Sequence, residues 1–200
     1  LNTITLSTVL TDWGSYILLA VAQTFVVITG GIDLSVGATV SLSSVVAGWV
    51  LVKGLGLDSS ITGDAAIPYV LLAVLVCLLV GLAVGALNAF LINILKIVPF
   101  IATLATMGAM TGLAIIISGG MPLQGPNNWD LGKAYKINGF QLPISTTVLS
   151  VLIVLVICGL FLHKSRFGLH TFALGSNPFA TRAAGISVAK HITKVYMLSG

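Results

Sequence analysis

Residues 68–95 read PYVLLAVLVCLLVGLAVGALNAFLINIL, without one Asp, Glu, Lys or Arg. A membrane-crossing helix needs roughly 20 mostly apolar residues to cover about 30 Å of hydrocarbon. This stretch exceeds that length, which predicts a tilted span or a protruding end. Uncharged runs also occupy 13–32, 34–52, 97–129 and 137–162. Together they predict an all-α fold, a polytopic bundle of transmembrane helices. The spans are expected at about 14–30, 35–53, 68–95, 100–118 and 144–162.

Composition agrees. Hydrophobic residues make up 57% of the chain and charged residues 7%, with a mean hydropathy of +1.11. A soluble domain has about 25% charged residues, so an ordinary water-facing surface is excluded. All five acids are Asp, and nine Lys and Arg give a formal charge of +4. Excess base can mark nucleic-acid binding. Here it flanks apolar spans, and positive-inside orientation explains it without a nucleic acid. Cys77 and Cys158 lie within apolar runs, with no Cys or His neighbour at metal-ligand spacing. They are expected to be small buried hydrophobes, not metal ligands.

Lys164, Arg166, Arg182, Lys190 and Lys194 share one connector that holds no acid. The positive-inside rule makes this connector cytoplasmic. Counting back, 54–66 and 119–143 face outside, while the 96–99 turn and the break near 30–35 face inside. Trp13, Trp49 and Trp129 fall near span ends, as in the aromatic belt at headgroup level. Residue 1 is Leu, and Ile192–Gly200 begins a further apolar segment. Nine helical residues rise only about 14 Å. Residues 1–200 are therefore expected to form the N-terminal part of a longer transmembrane domain. Its cytoplasmic connector would be 163–191, with 192–200 opening another span.

The connector holds FALGSNPFATRAAG, Phe172 to Gly185. Asn177 suits a helix N-cap and Pro178 the first helical position. Gly185 is placed to end the helix in the left-handed conformation. So short a helix is marginal alone in water and must dock on something. Phe179 and Ile186 are candidate apolar anchors, with Arg182 a charged contact. The alternative is an interfacial helix resting on lipid phosphates.

Asp33 follows the Gly30-Gly31 break. An intramembrane carboxyl group is a functional candidate by default, here for a pathway or gate. Asp33 or Ser35 could equally cap the span that follows, which is the simpler reading. Asn88 and Asn93 could line a polar path or bond a neighbouring helix. Gly81-x-x-x-Gly85 and Gly108-x-x-x-Gly112 are spaced for close helix packing. His163, His170 and His191 flank the basic connector, where interface placement explains them.

GGIDLSVGA (Gly30 to Ala38), VPFIATLATM (Val98 to Met107) and ALGSNPFATRAAGI (Ala173 to Ile186) occur in this order. They resemble the permease subunits of bacterial ATP-binding-cassette importers for ribose, xylose and arabinose. The resemblance implies the type II, vitamin B12 importer-like permease fold in the inner membrane, with roughly ten spans in a full-length member. It implies a pair of permease copies, a cytoplasmic ATPase and an extracytoplasmic sugar-binding protein as partners. ATP and Mg would be used by that ATPase, and no cofactor by this chain. Gly175, Asn177, Pro178, Phe179, Arg182, Gly185 and Ile186 would belong to the coupling segment. Ala180-Thr-Arg stands where the related loop of other importers carries Glu.

No G-x-x-x-x-G-K-[ST] phosphate loop occurs, so work must come from another chain. An ion-coupled secondary carrier would show buried carboxyls beside broken helices, for which Asp33 is the single candidate. A membrane enzyme would need a catalytic constellation, and the sequence offers none. A permease of the same class for a nucleoside or branched amino acid is the nearer alternative.

Overall fold

The computed structural model describes residues 3–58, 60–61, 63–123, 134–137 and 140–200, with the side chains of 3–8, 10, 11, 63, 64 and 134–147 left aside. Trp129, Asp130 and Lys133 lie outside the described residues, and with them most of the 119–143 connector.

Among the described residues eight α-helices follow in order. They are α1 (Thr3–Ile28), α2 (Val36–Trp49), α3 (Ile67–Asn93), α4 (Pro99–Ser118), α5 (Thr146–Lys164), α6 (Arg166–Ser176), α7 (Pro178–Ala183) and α8 (Val188–Ser199). A π-helical turn, Val50–Gly54, prolongs α2. Among the described residues three segments are long and apolar enough to cross a membrane by themselves: 36–54, 67–93 and 99–118. α5 and α6 also pass taken together, with a bend of 69° between them. Only 17% of the most apolar window of α3 is buried within the chain. Leu71, Leu75, Leu78 and Leu79 are all exposed on it. A helix apolar on every side is buried in a large core or in lipid. This chain supplies no such core, so lipid and other membrane helices are its surroundings.

Two details depart from the sequence reading. Residues 3–13 continue α1 as regular helix, although 1–13 is polar enough to suggest a separate interfacial segment. A short antiparallel hairpin, β1 (Ala134–Ile137) and β2 (Phe140–Ser145), occupies part of the expected loop. Gln141 and Ile144 on this hairpin belong to an alternating pattern too short to read against the long helical signals.

The helices pack around two apolar centres. Phe25, Val26, Ala89, Leu162, Val195 and Tyr196 form one, joining α1, α3, α5 and α8. Ala38, Leu42, Val84, Met110 and Ala114 form the other, joining α2, α3 and α4. Gly81 and Gly85 let α8 cross against α3. A Cβ at Gly85 would run into the carbonyl of Tyr196, and one at Gly81 into that of Gly200. Gly108 and Gly112 differ: among the described residues nothing lies within 4 Å of a Cβ built at either. The same spacing marks a contact on α3 and a bare face on α4. Cys77 and Cys158 are only half-buried, and the Cys77 thiol lies 3.5 Å from the Ser43 carbonyl.

Candidate functional site

α1 ends at Ile28, and the chain runs without helix from Thr29 to Ser35. Gly30 makes the turn at φ +80°, a conformation that side chains with a Cβ seldom adopt. Backbone polar groups released inside a membrane must find partners within the protein. Here two helices supply partners for carbonyls of this stretch, and two more bond its side chains. From α1, Gln23 Nε2 donates to the Asp33 carbonyl. From α4, Thr103 Oγ1 lies 3.2 Å from the Ile32 carbonyl. From α3, Asn88 Nδ2 donates to Ser35 Oγ at 2.8 Å. From α8, Ser199 Oγ donates to Asp33 Oδ2 at 3.3 Å.

Asp33 is the hub, only 1% exposed. Its Oδ1 accepts from the Ser35 N–H at 2.9 Å and from Ser35 Oγ at 2.6 Å. The carboxyl group thus closes a turn just before the positive end of α2, where negative charge is favoured. Ser35 is the N-cap residue, but its hydroxyl makes no capping bond. It relays Asn88 to Asp33 instead. Two buried polar atoms at this site have no hydrogen-bond partner among the described residues, Asn88 Oδ1 and the Tyr196 hydroxyl. The Tyr196 ring lies over Gly31, where a Cβ would stand 2.6 Å from the phenol oxygen. Asn93 bonds α8 as well, donating to the Ala189 carbonyl and Thr193 Oγ1 at 3.0 Å.

Removing the hub has a defined consequence. Asp33→Leu leaves the Ser35 N–H, Ser35 hydroxyl and Ser199 hydroxyl without their acceptor. Each buried orphan costs about 1–3 kcal/mol. Asp33→Asn keeps an acceptor oxygen and should retain much of the stability. Thermal unfolding of the purified protein in detergent checks this: a lower midpoint for the Leu variant is expected, well below that of the Asn variant.

The basic connector folds into an elbow, α6–α7–α8. Ser165 caps α6, accepting from the Gly168 N–H at 3.1 Å. Asn177 Oδ1 accepts from the N–H groups of Phe179 and Ala180, both at 3.0 Å, and caps α7. α7 ends in paired bonds, Gly185 N–H to Arg182 at 3.0 Å and Ile186 N–H to Thr181 at 3.2 Å. With Gly185 at φ +83°, this is the Schellman ending. Pro178 occupies the first helical position. The elbow presents Phe179, 84% exposed, and the exposed Arg182 at its tip. Ile186 is half-buried, so Phe179 is the more outward of the two apolar groups. Gly175 faces inward: a Cβ there would overlap the Ile28 carbonyl at the end of α1.

His191 departs from the interface placement expected for the three histidines. It is 5% exposed, packs on Phe167, and its Nε2 lies 2.9 Å from Thr171 Oγ1. Burial, then the neighbouring His170 and Lys194, hold this imidazole below its ordinary pKa. Trp13 and Trp49 are exposed, at 62% and 45%.

Asp33, Ser35 and Asn88, singled out from sequence, are thus one connected cluster. Gln23, Thr103, Tyr196 and Ser199 were missed. A polar residue on an otherwise apolar helix was the available signal, and it does not say which neighbour it meets.

The family model described as branched-chain amino acid transport system / permease component matches residues 5–200. The ribose import permease protein RbsC of Bacillus subtilis is 35% identical over 187 residues, covering 92% of this chain and 52% of that protein. The galactose/methyl galactoside import permease protein MglC of Salmonella typhimurium is 31% identical over 207 residues, covering 100% and 60%. The inner membrane ABC transporter permease protein YjfF of Escherichia coli is 37% identical over 194 residues, covering 96% and 54%. The chain spans little more than half the length of these relatives. No solved structure matches it significantly.

Proposed function

Because the chain belongs to the family described as branched-chain amino acid transport system / permease component, we propose that it forms part of the translocation pathway of an ATP-driven monosaccharide importer. It is a multi-pass inner-membrane protein. Relatives named for a substrate include import permeases for ribose, galactose and fructose, which favours a neutral sugar. A cytoplasmic ATPase supplies the work, an extracytoplasmic binding protein delivers the sugar, and a second permease copy completes the pathway.

One observation carries the mechanism: the elbow grips both ends of the 29–35 break. At one end Gly175 of α6 meets the Ile28 carbonyl. At the other, Tyr196 and Ser199 of α8 close over Gly31 and Asp33. α7 sits between these grips, with Phe179 and Arg182 free to dock on the ATPase. Movement of α7 therefore pulls on the break from two sides. Rigid elements moving around a few non-helical residues are a common way to switch access. Asp33, Ser35 and Asn88 then act as the latch whose state sets which side is open.

Uptake into vesicles carrying the full transporter tests this reading. Labelled ribose, galactose, a nucleoside and leucine are offered in turn. A monosaccharide alone should accumulate, with uptake lost on ATP depletion and unchanged by a proton uncoupler. Uptake of leucine or the nucleoside instead of sugar overturns the substrate class. Loss on uncoupling while ATP is maintained overturns the energy source.

A further inference from the structure

A cleft of about 260 Å³ opens between α6 and α8, lined by His170, Ile186, Ser187, Lys190, His191 and Lys194. We propose that this cleft is a binding site for a phosphate group, carried by an anionic lipid of the adjoining leaflet or free in solution.

The charge balance is the first support. Lys190 and Lys194 lie one helical turn apart on α8 and so share a face, and both line the cleft. His170 approaches from α6, its ring 5.9 Å from that of His191. No Asp or Glu follows Asp130 in the chain, so no acid of this elbow neutralises the group. The cleft also reaches the start of α8, where the Ser187 side chain makes no capping bond. N–H groups at a helix start favour an anion. Here they add to a cationic cavity already present.

Depth is the second support, and it is independent of charge. α6 turns 69° from α5. If α5 crosses the bilayer, α6 runs close to the membrane plane. Leu169 and Phe172 are exposed on α6, at 67% and 40%, as on a helix lying at the headgroup boundary. The cleft beside it is therefore at phosphate level. Basic pockets between helices at this depth suit phospholipid headgroups. The proposal rests on the membrane reading and not on the identity of the transported solute.

Full-length permease in nanodiscs tests it. Three preparations are compared: phosphatidylglycerol, phosphatidylcholine, and phosphatidylcholine with inorganic phosphate. Bound lipid is counted by native mass spectrometry, and thermal midpoints are measured in parallel. Phosphatidylglycerol retention and a raised midpoint support the lipid source; a raised midpoint with inorganic phosphate supports the free source. The double variant Lys190→Gln/Lys194→Gln should weaken the response roughly 30-fold, from about 1 kcal/mol per basic residue near the surface. Lys190→Arg/Lys194→Arg should restore it, and Lys53→Gln should leave it unchanged. Equal midpoints in all three preparations overturn the proposal. So does a response that survives in the double Gln variant. A double variant that loses only ATPase binding, with its lipid and phosphate responses intact, assigns the cleft to a protein carboxylate and also overturns it.

Discussion

Gly185→Pro is expected to abolish sugar-stimulated ATP hydrolysis while the permease still inserts in the membrane. Gly185 sits at φ +83°, and proline is locked near −65°. The substitution also deletes the N–H that bonds the Arg182 carbonyl at 3.0 Å. Together these cost about 3 kcal/mol or more. That cost shifts the balance between the native elbow and its alternatives by roughly 100-fold against the native form, and coupled uptake should fall with it. The change lies in the connector, outside the helices long and apolar enough to cross the membrane, so insertion should be spared. Arg182→Glu separates geometry from charge. Arg182 is exposed on α7, and its replacement leaves the Asn177 cap and the Gly185 ending in place. Loss of stimulation in this variant identifies the tip as the docking contact. Stimulation at the native level in both variants, measured in a reconstituted complex, would remove the coupling role from this elbow.

Gly85→Leu should give the largest loss of folded protein. A Cβ at this position overlaps the Tyr196 carbonyl and stands 2.7 Å from the Met197 Cα. Both are backbone atoms and cannot rotate away. α3 and α8 must separate, at about 1–3 kcal/mol or more for the overpacking alone. Separation also draws Ser199 from Asp33 and moves Tyr196 off Gly31, so the latch fails with the packing. Yield and thermal midpoint in detergent should both drop sharply. Gly108→Leu is the matched comparison, since no described residue approaches its Cβ within 4 Å. A native midpoint for Gly85→Leu would mean that α8 does not cross α3 there.

The contrast between these glycines shows what spacing can convey. Gly81, Gly85, Gly108 and Gly112 carry one pattern on two apolar helices. Only the crossing of α8 distinguishes them, and the pattern has no information about that crossing. α7 is the opposite case. Its Asn177 cap, Pro178 start and Gly185 ending all act within a few residues, and all are legible in FALGSNPFATRAAG. The segments 36–54, 67–93 and 99–118 were legible for a similar reason, because length and apolarity are local properties. The extension of α1 through residues 3–13 was not. Polar side chains permit helix there, and its continuity with the apolar run decides the outcome.

Asp33 marks the boundary between the two kinds of knowledge. From sequence it is a carboxyl group beside a Gly-Gly break, open to capping or to function. In the folded chain it closes the turn before α2 and receives Ser199 from 166 positions away. Local chemistry alone determined that this chain enters a membrane, gathers five of its nine basic residues on one elbow and ends that elbow's small helix at Gly185. Tertiary structure decided that the elbow clasps the break at Ile28 and at Asp33. The reason is physical: caps and apolar runs act between neighbours along the chain, whereas a clasp depends on which helix backbones can approach closely enough to touch.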